Sequence, residues 1–169
     1  MLLAYSDLLN SPVAAADLGE RIGSVVDVIA EASSHRVVAL SIRTGGWFGA
    51  TKLLSPDDVI EYDPHALIIP TTDALVAPAE IVRAHDIGTR HDQVLKRAVV
   101  TERGETLGSV VNFVIDTDTA GIVRYFVKGL LGPERIIPTT SILRVTNTAF
   151  VVSNSQGTKK IPAGTLAEA

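Results

Sequence analysis

Two His-Asp pairs, His85-Asp86 and His91-Asp92, lie six residues apart in a chain with four histidines and no cysteine. Such pairs could offer ligands to zinc or another divalent cation. Histidine-based metal sites, however, need three or four convergent ligands and a supporting shell of hydrogen bonds. The six-residue spacing matches no helical face, so a solvated polar linker accounts for both pairs. The absence of cysteine removes thiolate nucleophiles, thiolate metal sites and disulfides together, and agrees with a reducing compartment. GERIGS and GETLGS have three residues between their glycines and no following lysine, and TGGWFGATK has no glycine directly before Lys52, so none is a phosphate loop. A catalytic nucleophile needs a base, and the base an orienting group. Glu20 and Glu105, on equivalent turns, form no such constellation. The expectation is a protein that is not an enzyme, with no catalytic residue, metal or cofactor.

Binding chemistry is more visible. In Arg124-Tyr125-Phe126-Val127-Lys128, if Val123, Tyr125 and Val127 face a core, then Arg124, Phe126 and Lys128 project together from the opposite face. A nucleic-acid base could stack there between two cations, or the two basic stems could cover the phenyl ring. The corresponding residues earlier in the chain are Ala39, Ser41 and Arg43, so such a platform would exist once. Two glycine-flanked tips also carry bulky apolar residues where polar ones are usual: Trp47-Phe48 in RTGGWFG and Leu130-Leu131 in KGLLG. Three readings fit them: they plug the end of their own barrel, pack against the other one, or remain exposed for a partner. Small units gain much from any extra burial, whereas exposed aromatic and apolar anchors are what binding hot spots use.

The elements that must carry these residues occur twice. Gly19-Glu20-Arg21-Ile22-Gly23-Ser24-Val25-Val26-Asp27 matches Gly104-Glu105-Thr106-Leu107-Gly108-Ser109-Val110-Val111-Asn112 at an offset of 85. Val38, Leu40 and Ile42 then fall on Val123, Tyr125 and Val127, an alternation that predicts one buried strand face. Beyond the tips the offset is 83, bringing Lys52-Leu53-Leu54 onto Arg135-Ile136-Ile137 and Ala66-Leu67-Ile68-Ile69 onto Ala149-Phe150-Val151-Val152. A length change at a surface turn leaves the strand ladders intact. Each unit reads as about six short strands, the first near Pro12 to Ala16 or Ala98 to Glu102. Ser55-Pro56-Asp57-Asp58 and Pro138-Thr139-Thr140-Ser141 offer capping side chains for one helical turn. Asp63-Pro64 and Thr146-Asn147 supply turn chemistry before the last strand. His35 and His65 fall opposite Ala120 and Thr148, outside the shared pattern.

The predicted fold class is mainly β: two small β-barrels in tandem, unit 1 over residues 1–76 and unit 2 over 93–153. A connector, 77–92, holds a short helix opened by Pro78, and a poorly ordered tail spans 154–169. At 46% hydrophobic and 20% charged, the composition is that of a globular protein. The net charge of -4 divides unevenly: residues 1–84 hold 5 basic against 11 acidic side chains, and 85–169 hold 10 against 8. That balance falls short of a dedicated nucleic-acid surface. No apolar run reaches the ~20 residues of a membrane-crossing helix, and MLLAYSDLLNSP lacks the features of a signal peptide. The expected location is the cytoplasm.

The paired segments GERIGSVVDVI, RVVALSIRTGG, KLLSPDDV and ALIIP, and GETLGSVVNFVI, IVRYFVKG, RIIPTTSI and AFVVSN, resemble two copies of the PRC-barrel domain. That family includes the cytoplasmic domain of a photosynthetic reaction centre component and the C-terminal domain of the ribosome maturation factor. The resemblance implies a compact barrel used as a docking adaptor, and brings no catalytic residues. It suggests a protein partner, with candidate contacts at Trp47, Phe48, Leu130, Leu131, Arg124, Phe126 and Lys128. A membrane assembly would be reached through that partner. A homo-oligomer is the further possibility, and RNA or ribosome association is the alternative.

Overall fold

The computed structural model describes residues 1–46, 49–63, 65–78, 93–130 and 132–157. The His-Asp pairs and the helix expected after Pro78 lie outside the described residues. A lead-in of β1 (Leu2–Ala4) and the one-turn helix α1 (Tyr5–Leu8) precedes the first half. That half comprises β2 (Pro12–Ala15), β3 (Glu20–Glu31), β4 (Arg36–Thr44), β5 (Thr51–Leu54), β6 (Glu61–Asp63) and β7 (Ala66–Ile69), followed by the short β8 (Leu75–Val76). The second half repeats the six strands as β9 (Ala98–Thr101), β10 (Thr106–Asp116), β11 (Gly121–Lys128), β12 (Arg135–Pro138), β13 (Ile142–Val145) and β14 (Ala149–Val152). The chain is thus mainly β and built twice.

The halves are joined through their strands. The main pairing path runs β13-β14-β9-β10-β11-β4-β3-β2-β7-β6, with the repeat's strands in mirrored order about the β11/β4 junction, and among the described residues it is open at both ends. At that junction Arg36 faces Gly121, its own counterpart at the 85-residue offset. Val37 N–H donates to the Ala120 carbonyl at 2.8 Å and Ile122 N–H to the His35 carbonyl at 2.7 Å. The two bonds are also related by 85 residues, so a pseudo-twofold axis passes between them.

Register carries the same symmetry. Ladder shifts in which two residues oppose one occur at Ile22 and Leu107, at Val26 and Val111, and at Val38 and Val123. Each is a β-bulge, which turns the following side chains over. The last pair corrects the predicted alternation. Leu40, Ile42, Tyr125 and Val127 are buried, but Val38 is only half-buried and Val123 is 36% exposed, while Val37 and Ile122 take the inward positions. One extra residue before the regular stretch exchanges the faces.

Glycines permit close strand contact. A Cβ on Gly23 would sit 2.4 Å from the Arg43 carbonyl oxygen, and one on Gly108 2.3 Å from that of Lys128. Gly23 therefore serves close approach rather than a positive φ, whereas Gly108 meets both demands with φ +140°. The predicted single turns are 3₁₀ turns at Pro56–Asp58 and Thr139–Ser141. Ser55 Oγ caps the first by accepting from Asp57 N–H. The second has no side-chain cap: Thr139 Oγ1 instead donates toward the Ile122 and Val123 carbonyls, tying the turn to the bulge in β11. Asn154–Gly157, expected to be poorly ordered, forms a further 3₁₀ turn, and Asn154 Oδ1 accepts from Arg103 N–H.

The lead-in segments are exchanged between halves. β1 lies antiparallel on β10, where Ala4 faces Val114, before the chain turns into the first half. Gln93 reciprocally bridges to Glu31 of β3. Asn10 and Lys96, both at left-handed φ (66° and 65°), donate to the Val25 and Val110 carbonyls at 2.8 Å. Leu8 and Val94 are buried behind them, and a single hydrophobic core cluster runs through both halves.

Candidate docking surface

Among the residues expected to bind a partner, Arg124, Phe126 and Lys128 are brought together on one face of β11, alternating with buried Tyr125 and Val127. Arg124 and Phe126 are half-buried, and Lys128 is exposed. The corresponding face of β4 is closed, with Ala39 and Ser41 buried and Arg43 half-buried. Arg124 Nε is a buried donor with no hydrogen-bond partner. Buried donors are nearly always paired, so this Nε–H is an exception to the rule.

At the end of β11, Leu130 is fully exposed. Gly132 at φ +134° turns the chain back toward β12, a backbone state that side chains disfavour. Trp47, Phe48 and Leu131 lie outside the described residues. The base of the first tip is closed by Thr44 N–H to the Ala50 carbonyl at 3.0 Å and Gly49 N–H to the Gly46 carbonyl at 3.2 Å.

Sequence reasoning missed two other features. Ile60, directly before the end strand β6, and Leu143, within the end strand β13, are equivalent at the 83-residue offset and are 62% and 56% exposed. Their surroundings differ in charge: Asp57, Asp58, Glu61 and Asp63 fall on Thr140, Ser141, Arg144 and Thr146. Burial and the negative charge of Asp57 push the Tyr62 hydroxyl up to about 12. Applying the offset to solvent-facing as well as core positions would have located both residues.

The second missed feature is His35. It sits at φ 52°, matching Ala120 at φ 55°, and its carbonyl makes one of the two junction hydrogen bonds. Its Nδ1 is 2.7 Å from the Tyr125 hydroxyl, and its ring centre is 5.5 Å from that of Phe150. Burial lowers its pKa from the ordinary histidine value and raises that of Tyr125. Arg97 completes the cluster: its guanidinium lies 5.3 Å over the Phe150 ring and donates to the Gln93 and Thr146 carbonyls. No local pattern announces His35, because its partners are in the other half. The arrangement links the halves.

A family model for the PRC-barrel domain matches residues 1–76 and again 90–159. No curated protein matches the chain. No helix among the described residues is long and apolar enough to cross a membrane.

Proposed function

We propose that this chain, which belongs to the PRC-barrel family, works as a non-catalytic adaptor that docks another protein. The observation that carries this reading is Leu130, a fully exposed leucine held on a turn at the end of a strand whose outer face presents Phe126 between Arg124 and Lys128. A large apolar side chain in that position lowers solubility unless something covers it, and apolar anchors rimmed by polar groups are how interfaces concentrate binding energy. The exchanged lead-ins and shared core support the same reading, since a rigid frame holds its contacts without the entropy cost of ordering a flexible partner. In this reading the protein is cytoplasmic and reaches any membrane or ribosomal assembly through its partner.

The test is capture of partners from native lysate with the full chain and with Leu130→Ser. The expected result is a protein captured by the first and lost by the second, with little sensitivity to salt. RNA association is the second reading, favoured by the single-copy Arg124, Phe126 and Lys128 face. It predicts nuclease-sensitive capture that weakens steeply with salt, because phosphate contacts release counterions. A wild-type chain that captures neither protein nor RNA overturns both readings.

A further inference from the structure

The two end strands of the pairing path are equivalent in the repeat and opposite in charge. At the first, Ile60 N–H donates to the Ile68 carbonyl at 2.8 Å, which carries the pairing of β6 with β7 one residue further and fixes the isoleucine at the sheet margin, exposed. At the second, Ile142 faces Val152 and Arg144 faces Val151, so Leu143 is the extra residue of a β-bulge and stands out from the strand, also exposed. End strands usually carry charge at such positions, because exposed apolar side chains there invite another chain. Both halves place a large aliphatic residue there instead.

Their surroundings describe what each would accept. Beside Ile60 lies a groove of about 450 Å³, to which Val59 and Ile60 bring apolar surface and Asp57 and Glu61 negative charge; Asp118, also in its wall, pairs with the Met1 amine at 3.5 Å. Asp57, Asp58 and Glu61 are exposed, and residues 55–63 hold four acids and no base. Residues 138–148 hold no acid, and Arg144 is exposed directly after the bulging leucine. Two copies meeting through the Ile60 surface would set acid against acid, and two meeting through Leu143 would set Arg144 against Arg144. Only the unlike pairing brings Arg144 to Asp57 and Glu61 while Leu143 enters the groove beside Ile60.

We propose that copies of this chain associate head to tail, the Leu143-Arg144 bulge of one copy seated in the acidic groove beside Ile60 of the next. Each copy carries one surface of each kind, so the contact is heterologous and repeats into a ring or a fibre rather than ending at a symmetric dimer. The contact goes beyond the adaptor reading and uses none of the residues on which that reading stands.

The test is sedimentation equilibrium of the full chain up to about 1 mM, where even a contact of millimolar affinity is populated. The expected result is a mean mass that rises with concentration past that of a dimer and falls as salt rises, since exposed charges are screened. Ile60→Ser and Leu143→Ser should each associate at least about tenfold more weakly alone, as when an anchor residue is lost. Mixed, they should pair one to one, because each variant keeps the surface that the other lacks. That recovery also shows that both variants are folded. Arg144→Glu should weaken association by a similar factor. A wild-type chain that stays monomeric, a mass that levels at the dimer, a serine variant that associates as the wild type does, a mixture that stays monomeric, or indifference to Arg144→Glu overturns the proposal. A monomeric chain whose capture of a protein from lysate is lost with Leu143→Ser makes another protein the occupant and also overturns it. Leu130→Ser, which tests the adaptor reading, should leave self-association unchanged, and loss of self-association in that variant overturns the assignment to the Ile60 and Leu143 surfaces.

Discussion

The two halves share a backbone and differ in what fills it. Leu40, Leu67 and Val28 in the first half correspond to Tyr125, Phe150 and Phe113 in the second, and Ser11 corresponds to Arg97. Bulges recur at equivalent residues despite these changes. The shared frame therefore rests on strand register and on close-approach glycines, while the side chains between are free to diverge. The junction shows such a divergence. His35 reaches from the first half into the aromatic cluster of the second, whereas Ala120, its counterpart, has only a methyl group and cannot reciprocate.

That contrast is tested most strongly by truncating equivalent core residues. Phe150→Ala should cost about 3 to 5 kcal/mol, within the range for a buried aromatic, and more than Leu67→Ala, which removes fewer contacts. Because one core cluster spans both halves, Phe150→Ala should also lower the denaturant midpoint reported by the fluorescence of Trp47, the chain's one tryptophan. Coincident fluorescence and circular-dichroism transitions are expected. Two separate transitions would contradict the picture of a joined molecule.

A smaller effect distinguishes the halves at their glycines. Gly23→Ala and Gly108→Ala both force a methyl group against a backbone carbonyl that cannot move aside cheaply, with losses of about 1 to 3 kcal/mol as in overpacked cores. The loss should be greater at Gly108, where φ +140° adds strain absent at Gly23. Equal losses in urea unfolding would remove that distinction between the halves.

Acid should act on the junction through His35. Its folded pKa lies below the unfolded value of 6.5, so the unfolded chain takes up the proton first as pH falls. This contribution to stability is full above 6.5 and declines as pH drops from 6.5 through the lower folded pKa. His35→Asn, which tolerates the left-handed backbone, should flatten the stability profile in that window. A profile unchanged by the substitution would show that the junction does not sense the histidine's charge. The smallest stability effect is expected at the tip: Leu130→Ser should alter unfolding free energy by no more than about 0.5 kcal/mol, as exposed substitutions usually do. A loss of several kcal/mol would make the leucine part of the fold.

Much of the frame was legible in the sequence because the same instructions occur twice. Two copies of G-E-x-[IL]-G-S-V-V marked the turn and the start of each long strand, and the change of offset from 85 to 83 located a tip. The outward placement of Arg124, Phe126 and Lys128 followed from strand periodicity near Tyr125. The outward turn of Val38 and Val123 did not: the same periodicity predicted both to face the core. A single extra residue reverses the faces, and a bulge is defined by the neighbouring strand rather than by the residue that bulges.

Strand content, the twofold repetition and the positions of the turns are written in the chain itself, since periodicity, glycine and capping residues act over a few neighbours. Folding in three dimensions was needed to decide that β1 would lie on β10 and Gln93 on β3, that Arg36 would meet Gly121 at a pseudo-twofold axis, and that His35 would bond to Tyr125. These contacts join residues 62 to 114 positions apart, from Glu31 and Gln93 to Leu2 and Asp116. They form because burying both halves in one core stabilises the pair more than either half alone, a gain that scales with area removed from water and leaves no local trace in the chain.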